Sequence, residues 1–183
     1  MDSLGLSIKV VPRGTGATTA EELAILKLWD QDLFAPDQDA LTQFEWLNCR
    51  GLGFNIQTYY QSELVSFANV LARTICVNDV EVLAGGLNSV MTPRKHQGKG
   101  YGTSTVQEAR RVIFEMISAD LGLLLCLPKR VAFYEGRGWT SLPCPVWMAQ
   151  SQGQVMWPYK TMVLMNDVNM SEIRCIDLCG PPF

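Results

Sequence analysis

The stretch HQGKGYGTSTVQEA, residues 96–109, sets Gly98, Gly100 and Gly102 in one short run just ahead of an amphipathic pattern. Glycine has no Cβ, so successive main-chain N–H groups can converge on one concavity. A helix that opens there adds unpaired amide donors and the positive end of its dipole. The combination suits a phosphate group. Arg94, Lys95, His96 and Lys99 crowd the same place, in a chain whose formal net charge is −3.

Two familiar phosphate loops do not fit. A Walker loop needs Gly-x4-Gly-Lys-Ser/Thr. Here Lys99 is followed by Gly100, and Pro93 stands where the first glycine belongs. A Rossmann loop needs GxGxxG after a strand in a repeated βαβ context. Here Thr103 replaces the last glycine, and the preceding strands read as antiparallel.

The elements that must position this loop can be read in chain order. Residues 6–11 alternate as a first strand. Thr18 or Thr19 can cap a helix over 20–34, with Glu21 and Glu22 in its first turn. DQDALTQFEWLN suggests a second short helix. Three strands follow at 54–60, 63–77 and 81–92, joined by Gln61-Ser62 and Asn78-Asp79, which makes an antiparallel meander. Gly85-Gly86 in the third marks a bulge or a close backbone approach. A helix is expected from 103 to about 119, with Val106, Ala109, Ile113, Met116 and Ile117 on one face. LGLLLCLP is continuous and apolar, so 121–127 reads as a strand buried on both sides. A short helix over 130–137 and late strands near 144–149, 154–165 and 172–178 complete a mixed α/β sheet with helices on its faces.

A third loop pattern, Gln/Arg-x-x-Gly-x-Gly, is met by Gln97, Gly100 and Gly102, after a strand and before a long helix. It resembles the acyl-CoA loop of the GNAT acetyltransferase superfamily. FYEGRGW, residues 133–139, is similar to the family's aromatic-Tyr-x-x-x-Gly-aromatic segment, at the right distance downstream. The resemblance covers at least 80–139 and implies the GNAT acyl-CoA N-acyltransferase fold, with a central splayed mixed sheet.

The resemblance also implies chemistry. Acetyl-CoA would bind where the strand ending at Thr92 and the strand over 121–127 part. Val90, Met91 and Thr92 would pair with the pantetheine arm. Gln97, Gly98, Lys99, Gly100, Tyr101, Gly102 and Thr103 would form the cofactor loop, with amides on the pyrophosphate and Arg94, Lys95 or Lys99 near the 3′-phosphate. An amine would attack the thioester directly, with Tyr134 as general acid. Phe133 and Trp139 read as packing. Glu81, Asn88 and Ser89 lie on or near the strand where a base could act, although a water chain would also serve. Cys126 lies near the expected thioester but has no evident base for a covalent route. The family's usual Asn and Ala before the tyrosine are Leu127 and Arg130 here, so one cofactor contact is lost or passes to backbone.

The end of the chain, EIRCIDLCGPPF, resembles the tail of aminoglycoside 2′-N-acetyltransferases, although with fewer acids. That resemblance implies a cationic substrate received by Asp32, Asp37, Asp39, Asp177 or the Phe183 carboxylate, beside Asn88 and Ser89. A small amine, a polyamine and a peptide amino group all stay open as acceptors. A different class, a non-catalytic acyl-CoA sensor or interaction domain, would keep the loop without turnover.

Composition bounds the rest. With 183 residues, 48% apolar and 18% charged, the chain is read as one domain, 1–183, with a core of its own. The acidic balance gives no footing for a nucleic-acid partner. No apolar run reaches the ~20 residues of a membrane span, and the first residues lack a signal-peptide core, so a cytoplasmic location is expected. The six cysteines form no CxxC pair, and His96 is the single histidine, which disfavours a zinc site. The cysteines read as reduced core thiols. The exposed edge of a mixed sheet leaves room for a homodimer.

Overall fold

The structure is a computed structural model that describes residues 5–13, 20–34, 52–165 and 173–183. The candidate acids Asp37 and Asp39, the helix expected from DQDALTQFEWLN and the capping threonines before residue 20 lie outside them. In chain order the elements are β1 (Leu6–Pro12), α1 (Ala20–Phe34), β2 (Gly53–Tyr60), β3 (Glu63–Val77), β4 (Val80–Met91), α2 (Tyr101–Arg111), β5 (Leu121–Cys126) and α3 (Val131–Glu135). There follow β6 (Thr140–Leu142), β7 (Val146–Gln150), β8 (Gly153–Met156), β9 (Lys160–Met165) and β10 (Ile176–Asp177).

The described strands form one sheet in the order β6-β9-β5-β4-β3-β10-β7-β8, with β2 also on β3 and β1 on β2. The β2–β3–β4 meander turns at Gln61-Ser62 (φ 49° and 70°) and Asn78-Asp79 (φ 50° and 68°). Positive φ at both central residues matches the right-handed twist of the flanking strands. On one face, α2 packs Val106 and Ala109 against Ile56, Ala68, Val70 and Leu87. By strand alternation the other face of β3 is covered by α1, whose Leu26 joins Leu64, Phe67 and Met91.

Two features of β4 shape the centre of the sheet. It pairs in parallel with β5 only at Ala84↔Leu121, Gly85↔Gly122 and Gly86↔Leu123, and beyond that level the two strands part. On its other edge the register with β3 skips between Asn69↔Asn88 and Phe67↔Met91. The bulge therefore sits at Ser89, where φ is 48°, and not at Gly85-Gly86. The glycine pair marks close approach instead: a Cβ on Gly86 would lie 2.1 Å from the Phe183 ring.

The tail reaches that position along a fixed route. β10 inserts between the end of β3, antiparallel, and β7, parallel. Arg73 on β3 donates from Nε to Leu178 O at 2.8 Å and from Nη1 to Pro181 O at 2.7 Å, and its guanidinium stacks on the Phe183 ring at 4.8 Å. The ring is 4% exposed. Gly86→Ala is expected to destabilise the fold by about 1–3 kcal/mol, since the new methyl and the ring cannot share the space. Adding Phe183→Ala, which empties it, should leave the double variant close to Phe183→Ala alone in thermal melting. Equal and additive losses would show that the two residues do not compete.

Other boundaries differ from the sequence reading for local reasons. The helix begins at Tyr101 rather than Thr103, because Gly100 takes the left-handed conformation of its N-cap (φ 85°). It closes through a π segment, Val112–Met116, with Ile117 N bonded to Val112 O at 2.9 Å. The expected strand 154–165 is two strands: Trp157 N still bonds Val146 O in register with the β7–β8 ladder, and Pro158, which has no N–H to continue it, ends the first strand before β9 begins at Lys160. Of the expected 172–178 strand, the described ladder keeps only Ile176 and Asp177.

Candidate active site

The glycine loop leaves β4, passes a single 3-10 turn at Arg94–His96 and enters α2. Gly98 and Gly100 both have positive φ (75° and 85°), a conformation that costs other residues roughly 1–2 kcal/mol. The first main-chain bond of the helix runs from Ser104 N to Gly100 O at 3.1 Å. The amides of Gly98, Lys99, Gly100, Tyr101, Gly102 and Thr103 thus make no main-chain hydrogen bond among the described residues. No side chain caps this end of the helix. These donors, with the dipole behind them, suit an anion.

A buried hydroxyl chain ties the loop to the end of β4. Thr105 Oγ1, in the first turns of α2, lies 2.8 Å from Thr58 Oγ1 on β2 and 2.8 Å from Ser66 Oγ on β3. Ser66 Oγ donates to Met91 O at 3.0 Å and lies 2.9 Å from Thr92 Oγ1. Gln97 Nε2 donates to Thr92 O at 2.9 Å, closing the loop from the other side. Loop and strand end are therefore fixed relative to each other. No local pattern announces this chain of hydroxyls, because its members are separated by up to 47 residues.

The four basic residues near the loop divide by partner. Glu63, at the tip of the β2–β3 hairpin, takes Lys95 Nζ at 2.6 Å and His96 Nε2 at 3.2 Å. Those bonds, Lys95's first, hold the Glu63 carboxyl below its ordinary range. His96 is buried against the edge of Tyr101. Its position is that of a structural strut under the loop. Arg94 faces Asp32 on α1 at 3.8 Å. Lys99 is exposed and makes no ion pair among the described residues.

Tyr134 lies on α3, packed edge-on to Phe133 (5.0 Å between centroids) and to Trp139 (6.4 Å). Burial pushes its hydroxyl above the usual tyrosine range, and the neighbouring Cys126 adds to the shift. The group keeps its proton at neutral and alkaline pH, as an acid must. α3 is joined to the start of α2 by Arg137, which donates to Phe133 O and Thr103 Oγ1 and stacks over the Phe133 ring at 3.8 Å. Cys126, at the end of β5, has its thiol pushed up to about 11 by burial. A thiol that stays protonated is a poor nucleophile, which weighs against a covalent relay.

Along β4, Val90 is half-buried and packs towards α2, while Met91 is buried beside α1. Asn88 pairs with Asn69 across the β3 seam; its Oδ1 is buried without a hydrogen-bond partner among the described residues, and Asn69 is 6% exposed. Several acids expected near this place lie elsewhere. Asp177 pairs with Cys76, and Glu81 pairs with the same residue. That level is seven residues along β3 from Asn69, or roughly 23 Å at the usual strand rise. Asp177 instead accepts from Gln154 Nε2 at 2.6 Å and from Cys179 N at 2.8 Å. Phe183 does come to β4, but by packing its ring on Gly86. Asp32 faces Arg94.

A family model described as an acetyltransferase (GNAT) domain matches residues 16–142. The chain belongs to the GNAT acetyltransferase family. It is an N-acetyltransferase of the mixed, curled-sheet acyl-CoA N-acyltransferase fold. Similar solved structures include ElaA of Escherichia coli, at 14% identity and TM-score 0.58, covering 86% of this chain and 99% of that one. An acyl-CoA N-acyltransferase from Pseudomonas aeruginosa is similar at 14% identity and TM-score 0.56, with the same coverage of 86% and 99%. A variant of the spermidine N-acetyltransferase SpeG from Vibrio cholerae gives 12% identity and TM-score 0.56, over 92% of this chain and 99% of that one. The sequence has no significant match among curated proteins. No helix among the described residues is long and apolar enough to cross a membrane.

Proposed function

We propose that this GNAT enzyme moves the acetyl group of acetyl-CoA to a primary amine of a small cationic substrate, a polyamine or an aminoglycoside, in the opening between β4 and β5. The observation that carries the reading is the run of amides from Gly98 to Thr103 without a main-chain partner among the described residues, held by hydroxyl bonds to the end of β4, beyond the level where it parts from β5. Acetyl-CoA supplies an activated thioester when bound. Gly98 to Thr103 hold its pyrophosphate, and Lys99, which makes no ion pair among the described residues, meets the 3′-phosphate. Val90, Met91 and Thr92 line the pantetheine arm. Tyr134 holds the proton that the departing sulfur takes up.

On the acceptor side, Asn88 Oδ1 is a buried carbonyl oxygen in need of a donor, and an amine N–H provides one. Ser89 carries the bulge that turns this wall. A buried neutral acceptor receives the amine without a permanent charge that would favour its ammonium form. That matters because free alkylamines carry pKa values of about 10 and must lose a proton before they react. The likeness to a spermidine N-acetyltransferase supports the polyamine class as the first to try.

The test is release of free CoA thiol from acetyl-CoA over a panel of spermidine, an aminoglycoside and a peptide with a free N-terminus. Turnover with spermidine or the aminoglycoside, and little with the peptide, is expected. Turnover confined to the peptide would redirect the acceptor class. Tight acetyl-CoA binding with no release for any amine would replace the enzyme reading with that of an acyl-CoA sensor.

A further inference from the structure

Two sulfurs meet at the seam between β3 and the tail. Cys76 Sγ and Cys179 Sγ lie 3.4 Å apart, although the residues are separated by 103 positions. The approach is built rather than incidental. Asp177 on β10 pairs directly with Cys76. Asp177 Oδ1 then accepts from Cys179 N at 2.8 Å, and Cys179 takes φ 52°, so the chain turns back over β3. Arg73 holds Leu178 O and Pro181 O on either side of this turn. Cys76 is half-buried and Cys179 is exposed, so the pair has an exposed member that a solvent reagent can reach.

We propose that Cys76 and Cys179 form an oxidisable thiol pair, whose disulfide fastens the C-terminal tail to β3. The oxidant is a low-molecular-weight disulfide. The Cys179 thiolate attacks one of its sulfurs; the S–S bond of the reagent breaks, and the first small thiol leaves with a proton. The Cys76 thiol is pushed up to about 11, chiefly by its hydrogen bond with Cys179, and is released from that bond once Cys179 is in the mixed disulfide. It then loses its proton and attacks Cys179 Sγ, and the second small thiol leaves with the other proton. Two protein thiols are oxidised, and one small disulfide is reduced to two thiols. Closure brings the sulfurs from 3.4 Å to about 2.05 Å, a movement within reach of a χ1 adjustment at the exposed residue.

The other described cysteines are less suited. Cys126 is buried at the end of β5. Cys144 and Cys175 are half-buried neighbours of each other beside β7, without an exposed member to start the exchange. The Cys76–Cys179 link would act on the part of the chain that matters for the centre of the sheet, because the tail it clasps ends with Phe183 on Gly86, at the level where β4 leaves β5.

The experiment treats the reduced full chain with glutathione disulfide, traps remaining thiols by alkylation and maps peptides without reduction. The expected result is a Cys76–Cys179 cross-linked peptide and a melting temperature raised by about 5–10 °C, reversed by dithiothreitol. Cys179→Ser and Cys76→Ser should each lose both effects, while Cys144→Ser keeps them. A stable glutathione adduct on Cys179 with Cys76 still alkylatable, or a link from either residue to another cysteine, would overturn the pair. A correct link with an unchanged melting temperature would overturn the clasp.

Discussion

Gly100→Asp is expected to weaken acetyl-CoA binding by at least about 100-fold, the most severe loss that a single loop substitution should cause. The reason is charge placed where the helix end collects donors. Gly100 is the N-cap of α2, and the six amides from Gly98 to Thr103 have no main-chain acceptor among the described residues. A carboxylate there would satisfy the donors itself and repel a diphosphate. Conformation contributes separately, because φ at this residue is 85°. Asparagine tolerates that region nearly as well as aspartate and carries no charge, so Gly100→Asn isolates the two effects. Titration calorimetry with acetyl-CoA should give a modest loss for asparagine and the full loss for aspartate. Equal losses would mean that backbone geometry, not charge, sets affinity. Unchanged affinity in both would remove the loop from the binding site.

The parts of this molecule that were legible in its sequence are those set by local rules. The β2–β3–β4 meander could be read because its turns are two-residue pairs of polar residues, and positive φ at Gln61, Ser62, Asn78 and Asp79 bears that out. The buried strand LGLLLC and the helix after the glycines follow from unbroken and 3.6-periodic apolar patterns, and both form. What escaped were features that exist only once distant segments meet. Ser89 at a bulge has no signature, since serine at positive φ is dictated by strand register rather than by its own preference. The Thr58–Thr105–Ser66–Thr92 chain is four ordinary hydroxyl residues until β2, β3, β4 and α2 pack. Asp177 read as a substrate acid from its place in the tail, but β10 lodges it at the far end of β3. His96 read as part of an anion loop, and its buried contact with Glu63 makes it a support for that loop instead. Arg73 has no local signature as an anchor, and it organises the tail.

Tyr134→Phe should lower kcat by about 10²–10⁴-fold while leaving acetyl-CoA affinity unchanged. Phenylalanine preserves the ring and therefore its edge-on packing with Phe133 and Trp139, so only the hydroxyl is removed. The sign of the pH dependence follows from the raised hydroxyl. Its active form as an acid is the protonated one, and burial keeps that form beyond the ordinary tyrosine range. The rate should therefore climb with pH as the acceptor amine loses its proton, with no decline on the alkaline side up to about pH 10. Folding responds in the opposite direction. The folded state holds this proton more tightly than the unfolded chain, so its contribution to stability is complete below about pH 10 and is lost as pH rises above it, a loss that the phenylalanine variant does not share. A wild-type rate that fell between pH 8 and 9 would assign the acid to another group. A phenylalanine variant with a normal kcat would return Tyr134 to the core.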